Sequence, residues 1–489
     1  MPLLPIYTAG AIREIEARAG AAGLMQRAGQ AGAELARSLC SDTAKSILVV
    51  AGPGNNGGDA FEAAVALKRW FFRVAVVFAG ERDRLPADAK AAHAKWEAAG
   101  GTLLETIPEG ARFDLAVDGL FGIGLKRPLA GSHRAIVEKL NSLRLPVLSL
   151  DAPSGIDADT GEVMGCAVRA AHTLTFIAHK PGLLTADGPD YCGELTVDPL
   201  GLDPLALRQP DGALLDADIL AAAVAPRPRN FHKGKAGSVG VLGGAAGMAG
   251  AAVIAGRAAL RCGAGRVYLG LLTPRPPRVD YAHPELMLRN PGEILNKDLV
   301  DILVVGPGMG RTASASKLLR AALSAPLPLV LDADALNLIA DDHGLAAATA
   351  KRAAATVMTP HPAEAGRLLG KATRAIQADR IAAARTLAAR YGAFALLKGN
   401  GSVIAEPAGR FWINPSGNPG MASAGMGDAL AGIVGALCAQ GAAPLGALLA
   451  GTYLHGAAAD ALVAAGSGPV GITASEVIDS ARALLNTVR

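Results

Sequence analysis

Short apolar runs alternate along most of the chain with longer segments in which apolar residues recur every three to four positions. In the first 200 residues the run Ser46-Ile-Leu-Val-Val-Ala51 and the stretches 73–79, 113–118 and 146–151 predict strands, being short and rich in β-branched residues. Residues 60–70, 87–99 and 132–141 predict helices between them. Residues 9–40 look helical, with Ile12, Ile15, Ala19, Leu35 and Leu39 at roughly helical spacing. Two further short strands are expected at 172–177 and 194–197. Strands alternating with helices predict a parallel sheet covered on both faces, a Rossmann-like three-layer α/β sandwich.

The pattern fades over 198–212, where Pro199, Pro204 and Pro210 interrupt it. This places a domain boundary there and divides the chain into 1–210 and 211–489. The alternation then resumes. Strands are expected at 238–242, 266–272, 302–306, 329–332, 356–359 and 393–398, with a hairpin of 402–405 and 410–414. Helices are expected at 249–262, 314–323, 373–390 and 429–439. The second half is therefore a second α/β domain, and the halves share no evident sequence similarity.

A chain of 489 residues is too long for one ordinary core, which agrees with two domains. It is 51% hydrophobic and 18% charged, a packed composition and not a disordered one. Its net charge of +4 comes from interspersed acids and bases, so no nucleic-acid partner is expected. None of Cys40, Cys166, Cys192, Cys262 and Cys438 forms a C-x-x-C pair or a zinc spacing, which fits small apolar filler in a reducing compartment. The N-terminus lacks the basic and apolar regions of a signal peptide, so a cytoplasmic location is expected. Residues 429–455 carry no Lys, Arg, Asp or Glu, but Gln440, Gly441 and Pro444 interrupt them. Two buried helices are expected there, with no membrane partner.

Polar residues gather where the predicted strands end. In open α/β sheets that is where ligands bind. After the first strand comes Gly52-Pro-Gly-Asn-Asn-Gly-Gly-Asp59, after the third Asp118 and then Gly122-Ile-Gly-Leu-Lys-Arg-Pro128, and after the fourth Asp151-Ala-Pro-Ser154. Each alone reads equally well as a turn or a cap. Together they predict a site. The first loop is not a dinucleotide fingerprint, since Asn55 and Asn56 follow Gly54. Asn56, Asp118 and Ser154 offer only oxygen ligands, which suits a hard or alkali cation and not zinc. Lys126 or Asp151 is the candidate proton carrier.

The second half has a richer set. Gly243-Gly-Ala-Ala-Gly-Met-Ala-Gly250, Val305-Gly-Pro-Gly-Met-Gly310, Thr359-Pro-His-Pro-Ala-Glu364 and Lys398-Gly-Asn-Gly-Ser402 each follow a predicted strand. The glycine-rich stretch 414–428 ends in Gly425-Met-Gly-Asp428 and opens an apolar helix. Backbone N–H groups at such a helix start suit a phosphate, with Asp428 as base; a turn capped by Asp428 is the plainer alternative. His232, Lys233 and Lys235 read as an exposed basic loop.

Gly-Pro-Gly-Asn-Asn-Gly-Gly-Asp, Phe121-Gly-Ile-Gly-Leu with Pro128, and Asp151-Ala-Pro-Ser-Gly-Ile-Asp157 resemble the epimerase half of bifunctional NAD(P)H-hydrate repair enzymes. His232-Lys-Gly-Lys-Ala-Gly-Ser-Val, Asp332-Ala-Asp-Ala-Leu-Asn337, Thr-Pro-His-Pro-Ala-Glu and Asn-Pro-Gly-Met-Ala-Ser-Ala-Gly-Met-Gly-Asp resemble their ribokinase-like, ADP- or ATP-dependent dehydratase half. The resemblance spans nearly the whole chain in the expected order. It implies that Asn55, Asn56, Gly57, Gly58, Asp59, Gly122, Ile123, Gly124, Leu125, Lys126, Arg127, Pro128 and Asp151 contact the hydrated nucleotide. Asn56, Asp118 and Ser154 would bind K+. In the second half Ala251, Gly310, His361 and Asp428 would meet the hydrate. Lys398, Gly399, Asn400, Gly401, Ser402 and Gly427 would meet ADP or ATP, supplied with Mg2+. Small molecules are thus the expected partners, in a homo-oligomer.

Two departures stand out. Ala60 replaces a glycine usual in the family, which bears on the flexibility of that loop. Ser402 replaces a frequent threonine and keeps the hydroxyl. Met426, where ribokinase-like kinases often carry a small residue, favours a dehydratase over a sugar or hydroxymethylpyrimidine kinase. A first domain that binds without turnover is the other open reading.

Overall fold

The computed structural model describes residues 4–20, 23–224 and 226–488. They form two compact units, Leu4–Ala213 and the chain from Leu214 onward. The N-terminal unit holds a seven-stranded sheet in the spatial order Leu103–Leu104, Arg73–Phe78, Ser46–Ala51, Leu115–Gly119, Val147–Leu150, His172–Phe176 and Glu194–Asp198. All neighbours are parallel. Ile47 to Ala51 are fully buried, as expected for a strand covered on both faces. The chain runs outward from Ser46–Ala51 in one direction, then returns to Leu115–Gly119 and runs the other way. Ligand crevices open at such a reversal of strand order.

Two sequence expectations are corrected here. Residues 9–40 are not one helix. Ala9–Ala19 ends at Gly20 (φ 77°), and Leu24–Leu39 starts after Gly23 (φ 80°); both glycines take up left-handed backbone at a helix end. The helix expected at 60–70 begins five residues earlier, as Asn55–Arg69. Its glycines are there for close packing. A Cβ on Gly57 would lie 2.0 Å from the Gly52 carbonyl oxygen, and one on Gly58 would lie 2.5 Å from Met25 Sδ. Ala60 is a buried helical residue, and a Cβ on Gly119 would meet it at 2.5 Å. Its methyl thus fills a packing contact in a helix, not a position in a flexible loop.

In the C-terminal unit the sheet includes, in spatial order, Phe411–Asn414, Ser402–Ala405, Phe394–Leu397, Thr356–Met358, Leu329–Leu331, Ile302–Val305, Ser238–Gly243, Arg266–Leu271 and Met287–Leu288. The strands are parallel except for the antiparallel Ser402–Ala405 and Phe411–Asn414 hairpin. Strand order reverses between Ser238–Gly243 and Ile302–Val305, which sets the glycine loops 243–250 and 306–310 side by side. Met426–Ala439 is almost wholly buried. It lies so close to Ala249–Arg261 that a Cβ on Gly432 would stand 2.1 Å from the Ala255 carbonyl oxygen. Pro444–Ala464 is long and apolar enough to cross a membrane, yet 61% of its apolar window is buried inside the protein. The apolar stretch is thus two helices broken near Gly441, as the sequence indicates.

Candidate functional site

In the N-terminal unit three strand ends converge through side-chain bonds. Asn56 Nδ2 donates to the Leu150 carbonyl (3.1 Å), tying the start of helix Asn55–Arg69 to the strand before Asp151. Asp118 is fully buried. Its carboxylate accepts from Ser154 Oγ (2.6 Å), Ser154 N (2.9 Å), Ser149 Oγ (2.8 Å) and Leu120 N (3.2 Å). Burial pushes its carboxyl pKa up, and these bonds pull against it. Asn56, Asp118 and Ser154 thus lie at neighbouring strand ends, and Asn56 Oδ1 is buried with no hydrogen-bond partner among the described residues. An unpaired buried amide oxygen, with a carboxylate and a hydroxyl at the adjoining strand ends, is a donor set of the kind a hard cation takes.

Asp151 follows the Val147–Leu150 strand in left-handed backbone (φ 65°). Ile123 N donates to its Oδ2 (2.9 Å), and Lys180 Nζ donates to its Oδ1 (2.7 Å). A Cβ on Gly122 would lie 2.5 Å from Asp151 Oδ2, so the loop reaches the carboxylate only with glycine there. Lys126, Arg127 and Pro128 are exposed, as is Gly124, while Leu125 is half-buried. The lysine that meets Asp151 is Lys180, which sequence reasoning missed. It lies in His-Lys-Pro just past a strand, and no glycine loop marks it.

In the C-terminal unit the Lys398 ammonium pairs with the buried Asp332 carboxylate at 2.8 Å, and Thr359 Oγ1 donates to the same oxygen at 2.8 Å. Burial works against the Lys398 charge, but Asp332, Glu364 and Asp428 together hold its pKa above the usual value. Asp334 accepts from Gly310 N (2.8 Å) and so fixes the 306–310 loop. That loop packs on the first one. A Cβ on Gly308 would lie 3.0 Å from the Ala251 Cβ, and one on Gly310 would lie 3.2 Å from the Ala245 Cβ. Ala251 and Gly310 therefore share one wall. His361 caps helix Pro362–Leu369. Its Nδ1 accepts from Ala363 N (3.1 Å) and Glu364 N (3.4 Å), and Glu364 returns a bond to His361 N. It is not the buried histidine that its flanking prolines suggest, being 47% exposed. Burial, then Lys398 and Arg367, lower its pKa, so the imidazole is neutral near pH 7.

Asp428 is not the helix cap. Gly425 is, in left-handed backbone (φ 89°), and Asp428 sits in the first turn of Met426–Ala439. Burial, and then the charges of Asp332, Asp334 and Glu364, push its carboxyl pKa up to about 7, with Lys398 opposing them. Such a carboxyl is matched to proton transfer at neutral pH. Gly427 adjoins the ion pair: a Cβ there would stand 3.0 Å from Lys398 Nζ and 3.4 Å from Asp332 Oδ2. The 398–402 loop is held by Ser402 Oγ, which donates to the Gly399 carbonyl (2.9 Å), and by Arg380. Arg380 is 1% exposed and donates to the Leu397 (3.2 Å) and Lys398 (3.3 Å) carbonyls. The 414–428 loop is held as firmly. Ser416 Oγ donates to the Tyr453 carbonyl (2.9 Å), and Gly417 N (2.8 Å) and Asn418 Nδ2 (2.9 Å) donate to Asp460. His232, Lys233 and Lys235 are exposed, as the sequence suggests.

Comparison with known proteins finds a family match in each half of the chain. A family described as NAD(P)H-hydrate dehydratase matches residues 239–481, and one described as YjeF-related protein N-terminus matches residues 21–182. The bifunctional NAD(P)H-hydrate repair enzyme Nnr of Escherichia coli is 39% identical over 95% of this chain and 89% of its own length. The chain belongs to the bifunctional NAD(P)H-hydrate repair enzyme family. The member from Coxiella burnetii is likewise 39% identical, over 98% of this chain and 99% of its own. A ribokinase-like superfamily protein of Enterococcus faecalis superposes with a TM-score of 0.50 at 25% identity, covering 57% of this chain and 96% of its own. The C-terminal unit of this repair enzyme is thus ribokinase-like in fold. The dehydratase match favours repair over a sugar kinase.

Proposed function

We propose that the N-terminal unit interconverts the R and S hydrates of NADH and NADPH. The C-terminal unit then removes water from the S hydrate at the expense of ADP or ATP. We place these activities in 1–210 and 211–489. The observation that carries this reading is 39% identity to a named repair enzyme over 95% of the chain. Hydroxide is a poor leaving group. A phosphoryl group passed from the nucleotide to the C6 hydroxyl makes it a good one. Asp428, with its pKa near 7, takes the hydroxyl proton. The Gly425–Gly427 helix start and the Lys398 loop hold the phosphates by backbone N–H groups and one ammonium. Mg2+ arrives with the nucleotide. Ala251, Gly310 and His361 bound the hydrate.

In the N-terminal unit the hydrate lies over residues 55–59 and 122–128, with Asp151 moving a proton. Asn56, Asp118 and Ser154 would hold K+, which supplies a fixed positive charge. The protein would work on small molecules, as a homo-oligomer in the cytoplasm. The deciding experiment mixes prepared R and S hydrates with the protein and ADP or ATP, with and without K+. Return of the reduced-nicotinamide absorbance from both epimers is expected. A stable phosphorylated product in its place would mean a kinase.

A further inference from the structure

One fully bonded side chain of the N-terminal crevice is one for which the 55–59, 122–128 and 151–154 loops give no role. Lys180 is fully buried, yet its Nζ donates to Asp151 Oδ1 (2.7 Å), Thr175 Oγ1 (2.7 Å) and the Phe176 carbonyl (2.6 Å). All three ammonium protons have acceptors, so the head group has one orientation. With Ile123 N on its other oxygen and its backbone at φ 65°, the Asp151 carboxylate likewise has one. Burying a lysine this deeply is costly, and an apolar pair would fill the space more cheaply. Asp59 is the fifth residue of helix Asn55–Arg69, just past its first turn and half-buried, and its carboxyl has no hydrogen-bond partner among the described residues.

We propose that Lys180 is a positioning residue for epimerisation, fixing Asp151 as the base, with Asp59 as the acid for the C6 hydroxyl. The assignment rests on the epimerase reading above. Asp59 gives its proton to the hydroxyl. The C6–O bond breaks, its electron pair leaves with the oxygen as water, and the N1 lone pair closes a C6=N1 double bond. Water then adds to the opposite face. Its electron pair forms the new C6–O bond, the double-bond pair returns to N1, and the surplus proton passes to the Asp151 carboxylate. Solvent then carries that proton from Asp151 back to Asp59, which restores both groups. Two carboxyl groups held in contrasting environments are what such a division of labour requires. Asp151 has a lysine and a backbone N–H. Asp59 has burial, and then the charges of Asp151, Glu16 and Glu62, all pushing its pKa well above its usual value, with Lys180 opposing. Glu16, from helix Ala9–Ala19, is itself raised by burial and by Asp151.

The test uses the full chain without ADP or ATP, so that only epimerisation is read, by chromatographic separation of the two NADPH hydrates. Failure of the unaltered protein to equilibrate them would overturn the epimerase reading itself. With that activity present, Lys180→Met and Asp59→Asn are each expected to lower kcat about 100-fold while KM changes less than about twofold. Asp59→Asn is also expected to abolish the fall in rate at alkaline pH. The double variant Lys180→Met/Asp151→Asn removes both charges together. It is expected to melt at least as high as Lys180→Met and to be no slower than Asp151→Asn alone, because the two residues act as one unit. A kcat within about threefold of the unaltered protein for Asp59→Asn, or for a folded Lys180→Met, would overturn the proposal. So would multiplied losses in the double variant, which decides the matter if Lys180→Met alone does not fold.

Discussion

The Asp332 carboxylate holds the Lys398 ammonium at 2.8 Å, against a glycine whose missing Cβ would stand 3.0 Å from that ammonium. Asp332 is 1% exposed. Lys398→Met would leave a buried carboxylate with Thr359 as its one remaining side-chain donor among the described residues, at a cost of about 3–5 kcal/mol. A clear drop in melting temperature is expected, together with loss of nucleotide-dependent dehydration. Adding Asp332→Asn should restore much of the melting temperature and none of the activity, as read by thermal unfolding and reduced-nicotinamide absorbance.

Asp428→Ala is expected to reduce dehydration by about three orders of magnitude, within the range for removing a general base. Epimerisation, measured without nucleotide, should stay unchanged. Equal loss of both activities in a folded variant would count against two separate sites.

The raised Asp428 pKa fixes the sign of two pH effects. As a base it works when deprotonated, so kcat/KM for dehydration should rise as pH passes upward through about 7. For stability the sign is opposite. The folded state binds this proton more tightly than the unfolded chain, so Asp428 adds stability below the unfolded carboxyl pKa. That stability is lost as pH rises through about 7. Asp428→Asn should therefore raise the melting temperature at pH 8 more than at pH 5, in an inactive protein.

Gly399 has φ 141°, and a Cβ there would meet the Arg380 guanidinium at 2.8 Å. Gly399→Ala must strain the backbone or displace the arginine that ties down the Leu397 and Lys398 carbonyls. The expected result is a rise of about tenfold or more in the KM for ADP or ATP, as for a displaced binding loop. The hydrate epimerase rate should be unaltered.

Replacing K+ by a cation too large for the crevice, such as tetramethylammonium, should slow epimerisation and leave dehydration with ADP and Mg2+ unchanged. A K+-independent epimerase rate would remove the role given to the unpaired Asn56 Oδ1.

Strand ends, glycine loops and the residues between them were legible in the sequence because they are local. A run of Val and Ile followed by Gly, Asn and Asp announces itself within ten residues. Lys180, Asp332 and Arg380 were not singled out as site residues, since what makes each important is a partner far along the chain: 29 residues away for Lys180 and Asp151, and 66 for Asp332 and Lys398. The start of helix Asn55–Arg69 was misplaced for a related reason. Glycine reads as loop by propensity, whereas Gly57 and Gly58 lie inside a helix and are glycine because Gly52 and Met25 leave no room for a side chain. Lys126 drew notice from its place in a motif, but the structure puts it on the surface and sets Lys180 against Asp151.

The bonds that Ser416, Gly417 and Asn418 make to helix Pro444–Ala464 bear on how tightly substrates can be held. A glycine- and proline-rich segment that was free in solution would lose its conformational freedom afresh each time a nucleotide or hydrate bound, and affinity would fall accordingly. Here that entropy is lost once, when the chain folds. The Asp460 carboxylate, which need touch no substrate, is thereby a determinant of catalytic preorganisation.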